Sequence, residues 1–167
     1  GVKMSKSKGN FITMRQAQKD YGADASRFTA LSGGEGIDDA NFDRDLAKSI
    51  ILKLQSMLDF AKEYYNKGRK EKLGIDKWMD DKIDAIVKET ASYYNETLFR
   101  SAIQISYFDM QNALKWYLRR CVNNPNLETI NKFIETQTLL LAPITPFVCE
   151  EIWEILGKKD FVAVASW

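Results

Sequence analysis

Lys3, Lys6 and Lys8 crowd the opening "GVKMSKSKGN", alternating with Ser5 and Ser7 ahead of a Gly9-Asn10 turn. Each ammonium is a compact charge on a long flexible stem, which suits a mobile polyanion better than a planar carboxylate. The serine hydroxyls add donors, and Gly9 lets the backbone approach a guest closely. Phosphate is the guest that such groups fit. On the residues alone, a solvated basic tail stays open as the commoner reading of such a stretch. The stretch is not a P-loop: G-x-x-x-x-G-K-[ST] is absent, and "SGGEG" at 32–36 holds a glutamate where phosphate would be repelled.

A second basic group lies far downstream. In "KWYLRRC", Lys115 and Arg119 fall on neighbouring helical turns with Trp116 and Arg120 beside them, and Arg100 lies farther back along the same predicted helix. Basic side chains with an aromatic among them could track an RNA backbone. A solvated helix face with Trp116 half buried is equally open. "NKGRKEKLG" (Asn66–Gly74) carries Lys67, Arg69, Lys70 and Lys72 and reads as a solubilising loop. Tyr64-Tyr65 and Tyr93-Tyr94 read as packing pairs. Asp38 and Asp39 lack the regular spacing of oxygen ligands, so a structural turn is expected there and no metal site.

Composition bounds the rest. A chain of 167 residues suits one compact domain with an appendage, and a net charge of +1 confines any nucleic-acid site to a local patch. The chain contains no histidine, which removes the commonest general base and metal ligand. Cys121 and Cys149 belong to no C-x-x-C pair and read as reduced thiols of a cytoplasmic protein. No apolar run approaches the ~20 residues of a membrane span.

The elements that must position these groups are helices. Thr13 with Gln16 predicts a capped helix from Met14 to Gly22, and Asp24 to Leu31 a second, ended by "SGGEG". Leu46, Ile50, Leu54, Leu58 and Ala61 keep helical spacing, as do Met79, Ile83, Ile86 and Val87 behind a cap expected at Asp76. One unbroken helix is expected from Leu98 to Leu118, stopped by "NNPN". Asn126 predicts the cap of the next helix, and Thr145-Pro146 a cap with proline at the first helical position, with Gly157 closing that last helix. "FVAVASW" alone looks extended. The fold class expected is all-α: a helical bundle over 44–167 preceded by an irregular and helical segment over 1–43.

"KMSKS" at Lys3–Ser7 resembles the second signature of class I aminoacyl-tRNA synthetases. "KMSKSKGNFITMRQAQKDYGADASRF" (Lys3–Phe28) is similar to the motif and following helices of the leucyl-tRNA synthetases, and "GEGIDDANFD" (Gly34–Asp43) to their archaeal and eukaryotic-cytosolic branch. "LLLAPITPFVCEEIWEILG" (Leu139–Gly157) followed by "VAVASW" resembles the last helices of the anticodon-binding bundle in the leucine, isoleucine and valine group.

The resemblance implies a parent that joins leucine to tRNA(Leu) with ATP and magnesium. The HIGH signature, the Rossmann core and the editing domain of that family have no counterpart in these residues, so the chain looks like a fragment that is inactive alone and partners the rest of the synthetase. It further implies that Lys3 and Lys6 are catalytic, with Lys6 central, and that Lys3, Met4, Ser5, Lys6 and Ser7 bind ATP. Arg100, Lys115, Arg119 and Arg120 are the residues expected to contact tRNA. A free-standing helical module for protein contacts is the alternative.

Overall fold

The computed structural model describes residues 7, 9–36 and 41–165. Among these residues the chain is helical and contains no strand, as the apolar periodicity predicts. α1 (Met14–Tyr21) and α2 (Ala23–Ser32) form a short pair turned at Gly22, whose φ of 79° is a left-handed value that glycine adopts without cost. The Thr13 hydroxyl accepts from the Gln16 amide at 3.0 Å and so caps α1, while the Gln16 side chain turns to Asp20 instead of completing a capping box. The long helices α3 (Arg44–Tyr64) and α4 (Gly74–Asn95) follow. Ile50, Leu54, Leu58 and Ala61 of α3 and Met79, Ile83 and Ile86 of α4 enter one core with Phe133, Ile134 and Leu141. No helix among the described residues is long and apolar enough to cross a membrane.

The helix expected to run unbroken through Leu98–Leu118 is interrupted. α5 (Phe99–Ile103) passes into a wider π turn over Gln104–Asp109 before α6 (Met110–Arg120) resumes the ordinary pitch. Two buried interactions favour the wider turn. Ser106 Oγ donates back to the Ala102 carbonyl at 2.6 Å, and the Gln137 amide donates to the Ser106 carbonyl at 3.2 Å while accepting from Gln111 at 2.7 Å. Widening the ladder also seats Tyr107 and Phe108 edge-on against Phe28 of α2, at ring separations of 5.5 and 6.0 Å. Periodicity alone carries no trace of these partners.

α7 (Leu127–Leu141) starts as expected, with Asn126 Oδ1 accepting from the Thr129 amide at 3.1 Å. α8 (Pro146–Ile155) has proline at its start, but Thr145 does not cap it; its hydroxyl donates to the Leu141 carbonyl. The cap comes from Asp24 of α2, whose carboxylate accepts from the Val148 and Phe147 amides at 2.7 and 3.4 Å. One turn along α2, Arg27 donates to the Ile144 and Pro143 carbonyls behind α7. Glu35 accepts from the Ser101 amide and hydroxyl at the start of α5. Three charged side chains of the segment before residue 44 thus serve the ends of three bundle helices, each sign matching the helix dipole it meets. Gly157 closes α8 as expected, at φ 75°. In "FVAVASW", Phe161 and Ala165 are extended, but Val162–Val164 between them form a single 3₁₀ turn, and Glu150 accepts from the Val162 amide that a partner strand would have needed.

Asp76 is the centre of a buried polar knot. It is not the cap but the third residue of α4, and its Oδ2 accepts from the Leu73 amide at 2.6 Å. Its Oδ1 accepts from Arg69 Nη2 at 2.5 Å and from the Tyr117 hydroxyl at 2.6 Å. That hydroxyl accepts from the Asn126 amide, and Asn126 Nδ2 donates to the Arg69 and Glu71 carbonyls. Gly68 permits the crossing: at φ 128°, a side chain there would place its Cβ 2.4 Å from the Pro125 carbonyl oxygen. The loop read as solubilising therefore holds Arg69 as a structural cation.

Burial alone would raise the Asp76 carboxyl, but the Tyr117 hydroxyl, the Leu73 amide and Arg69 outweigh it and hold it below the ordinary 3.8. Stabilisation from a depressed carboxyl is complete above its unfolded value and is lost as pH falls through the folded value. In denaturant melts, the stability gap between the native chain and Asp76→Asn should be full above about pH 4 and narrow below it. Tyr117→Phe leaves Asp76 and the Asn126 amide each short of a partner. It should cost about 1–3 kcal/mol and lower Tm by roughly 2–10 °C in a thermal melt.

Candidate nucleic-acid interface

α6 buries Met110, Ala113, Leu114 and Tyr117 and turns its other side to solvent. At 3.6 residues per turn, Lys115, Trp116, Arg119 and Arg120 share an arc of about 140° on that side, and all four are exposed. Among the described residues none of the three cations forms a salt bridge. The single contact recorded for them is Arg120, whose guanidinium carbon lies 4.5 Å from the centre of the Trp116 ring. A cationic face without carboxylate partners keeps its full charge for an incoming anion.

Trp116 does not stand alone. Its ring centre lies 5.0 Å from that of Trp78 on α4, with the two planes tilted by 47°. Trp78 and Trp116 remain 38% and 44% exposed, so the pair closes the α4–α6 seam without being consumed by it. The knot fixes their register, because Trp116 precedes Tyr117 and Trp78 lies two residues after Asp76. Sequence reasoning missed Trp78. No local signal marks it, since its partner lies on another helix.

Arg100 belongs elsewhere. It lies 15 residues before Lys115, roughly 20 Å along the helix direction. Its neighbour is Glu35, whose carboxyl the Ser101 amide and hydroxyl hold below its ordinary value, with Arg100 adding to the effect. The structure brings Lys115, Arg119 and Arg120 together and leaves Arg100 at the α5 end, beside a carboxylate that competes for it. Lys3, Met4, Ser5, Lys6, Lys8, Asp38 and Asp39 lie outside the described residues. Ser7 is described and exposed.

Other chemistry is sparse. Among the described residues no three histidine, cysteine or acidic side chains gather as metal ligands. Burial pushes the Cys149 thiol up to about 12 and raises that of Cys121, so neither is activated as a nucleophile. Tyr94 donates its hydroxyl to the Leu140 carbonyl and Tyr65 to Glu135, which makes one tyrosine of each tandem pair a packing residue.

Residues 76–167, more than half of the chain, match the family described as the anticodon-binding domain of tRNA ligase. The leucine–tRNA ligase of Aeropyrum pernix is 39% identical over all of this chain, which spans 18% of that protein. The cytoplasmic leucine–tRNA ligase of Pongo abelii is 35% identical over 99% of the chain and 14% of its own length. That of Pyrococcus horikoshii is 36% identical over all of the chain and 18% of its own. The chain thus spans less than a fifth of these relatives. The crystal structure of the Agrobacterium radiobacter K84 agnB2 LeuRS–tRNA–LeuAMS ternary complex matches the whole chain and 22% of that protein, with a TM-score of 0.78 and 20% identity, and so shares the fold. A helical bundle with an unpaired cationic face, matched over more than half its length, places this chain in the anticodon-binding domain family of tRNA ligases.

Proposed function

We propose that the chain is the part of a leucine–tRNA ligase that runs from the ATP-facing signature loop through the tRNA-contacting bundle. The observation that carries the reading is the α6 face of Lys115, Arg119 and Arg120, whose charge no described carboxylate neutralises. Identity to leucine–tRNA ligases along the whole chain supports leucine as the amino acid. The partners under this reading are tRNA(Leu) and the nucleotide-binding core of the same ligase, in the cytoplasm.

In that reaction the leucine carboxylate attacks the α-phosphorus of ATP, and negative charge builds on the departing pyrophosphate. Lys3 and Lys6 neutralise that charge, Met4 seats the loop, and Ser5 and Ser7 donate to phosphate oxygens. Magnesium belongs with the nucleotide, and no described residue group of this chain fits it. The Asp24, Arg27 and Glu35 contacts hold the helices that follow the loop firmly against the bundle.

Two measurements test the proposal. The chain should bind tRNA with log affinity falling linearly with log salt, by roughly 0.7–0.9 per phosphate contact, and Arg119→Ala should flatten the slope by about one contact. Because Arg119 is exposed and unpaired, that change should move stability by less than about 0.5 kcal/mol. A large drop in melting temperature with an unchanged salt slope would remove Arg119 from the binding face. In the whole ligase, Lys6→Ala should lower leucine-dependent ATP–pyrophosphate exchange by a factor of ~100–1000 while leaving tRNA affinity unchanged. An unaltered exchange rate would take Lys6 out of the catalytic role.

A further inference from the structure

We infer that Trp78 and Trp116 form a stacking platform for an unpaired RNA base, with Arg120 guarding one ring and Arg119 and Lys115 taking the adjoining phosphates. The inference rests on the tRNA-binding reading of the α6 face and adds a second kind of contact to it. Phosphate contacts alone need cations, not exposed indoles. Two tryptophans in mutual contact, each more than a third exposed, are an unusual expenditure of apolar surface on a monomeric helical bundle.

The pair has the features that base stacking requires. The 47° tilt leaves the rings unstacked on each other, so π surface stays open to a planar guest. Arg120 lies over one face of Trp116, its guanidinium carbon 4.5 Å from the ring centre, so a base stacks on the indole surface that Arg120 leaves free, beside a positive charge. Trp78 is flanked along α4 by Lys77 and Lys82, with Asp81 the exposed acid nearest in sequence on that helix. The other acid of this turn, Asp80, is held by Lys72 at 2.8 Å. Charge complementarity therefore favours a nucleic-acid strand over an acidic or neutral apolar partner. An unpaired nucleotide is the occupant, because a base inside a duplex hides both its faces.

The helices carrying the pair are tied together directly beneath it: Trp116 adjoins Tyr117, Trp78 lies two residues after Asp76, and Tyr117 and Asp76 share the buried 2.6 Å hydrogen bond. A preformed platform loses little entropy when a base arrives.

The test compares a single-stranded adenosine hexamer with an abasic hexamer of the same ribose-phosphate length, at fixed salt. The chain should bind the base-bearing strand roughly 5- to 100-fold more tightly and show tryptophan quenching with it alone. Trp116→Leu and Trp78→Leu keep apolar bulk without a π face and should each erase most of that difference. Trp116→Phe should recover much of it, which a purely packing role would not require. Equal affinity for the two hexamers, with tRNA still bound in a salt-dependent way, overturns the platform and leaves the phosphate-tracking reading standing. Absence of any RNA binding overturns both. Sedimentation showing a dimer of the native chain that the Leu variants dissociate, without change in RNA affinity, assigns the patch to self-association and also overturns the platform.

Discussion

Asp76 has no exposed surface, yet its carboxyl stays ionised to below the ordinary carboxylate range because a phenol, a backbone amide and a guanidinium all point at it. A buried carboxylate left unpaired would cost several kcal/mol, so the geometry of its three donors is tightly specified. Those donors come from the α3–α4 loop, the end of α6 and the start of α4. Through Tyr117 the constraint extends to Asn126 and the start of α7. Three helices are thereby locked in register by one side chain. The exposed tryptophans and cations of the α4–α6 seam inherit their placement from it.

Much of this architecture was legible in the residues. Apolar spacing gave the helices, and Asn126 and Thr13 announced caps that they do supply. What stayed hidden were interactions between distant positions. Arg69 looked like one more solvated charge because its partner lies seven residues on and its surroundings lie past residue 120. Asp24 caps a helix that begins at Pro146, and Thr145, which has the better local credentials, turns its hydroxyl elsewhere. The π turn at Gln104–Asp109 depends on Gln137, Ser106 and the aromatic edge of α2, none of which periodicity can register.

The cationic groups divide the molecule into two ends. Lys115, Arg119 and Arg120 lie at the end of α6 nearest the knot. Arg100 and Glu35 face each other where the N-terminal segment meets α5. Their grouping in the sequence as one basic helix dissolves once the chain folds, because a helix 22 residues long has ends that serve different neighbours. A surface that tracks a polyanion needs continuity as well as charge, and of these two described groups the α6 one has both.

The clasp between α2 and the α7–α8 corner also bears on how the protein is made. Asp24 and Val148 are separated by 124 residues. At ~5–20 residues per second a ribosome needs roughly 10 s to deliver the second after the first. During that interval the α2 carboxylate and guanidinium have no helix ends to serve, and water must hold them. Vectorial synthesis therefore cannot complete this domain from its front. The first helices leave the ribosome early, and their polar clasp on the α7–α8 corner closes only once that corner has emerged.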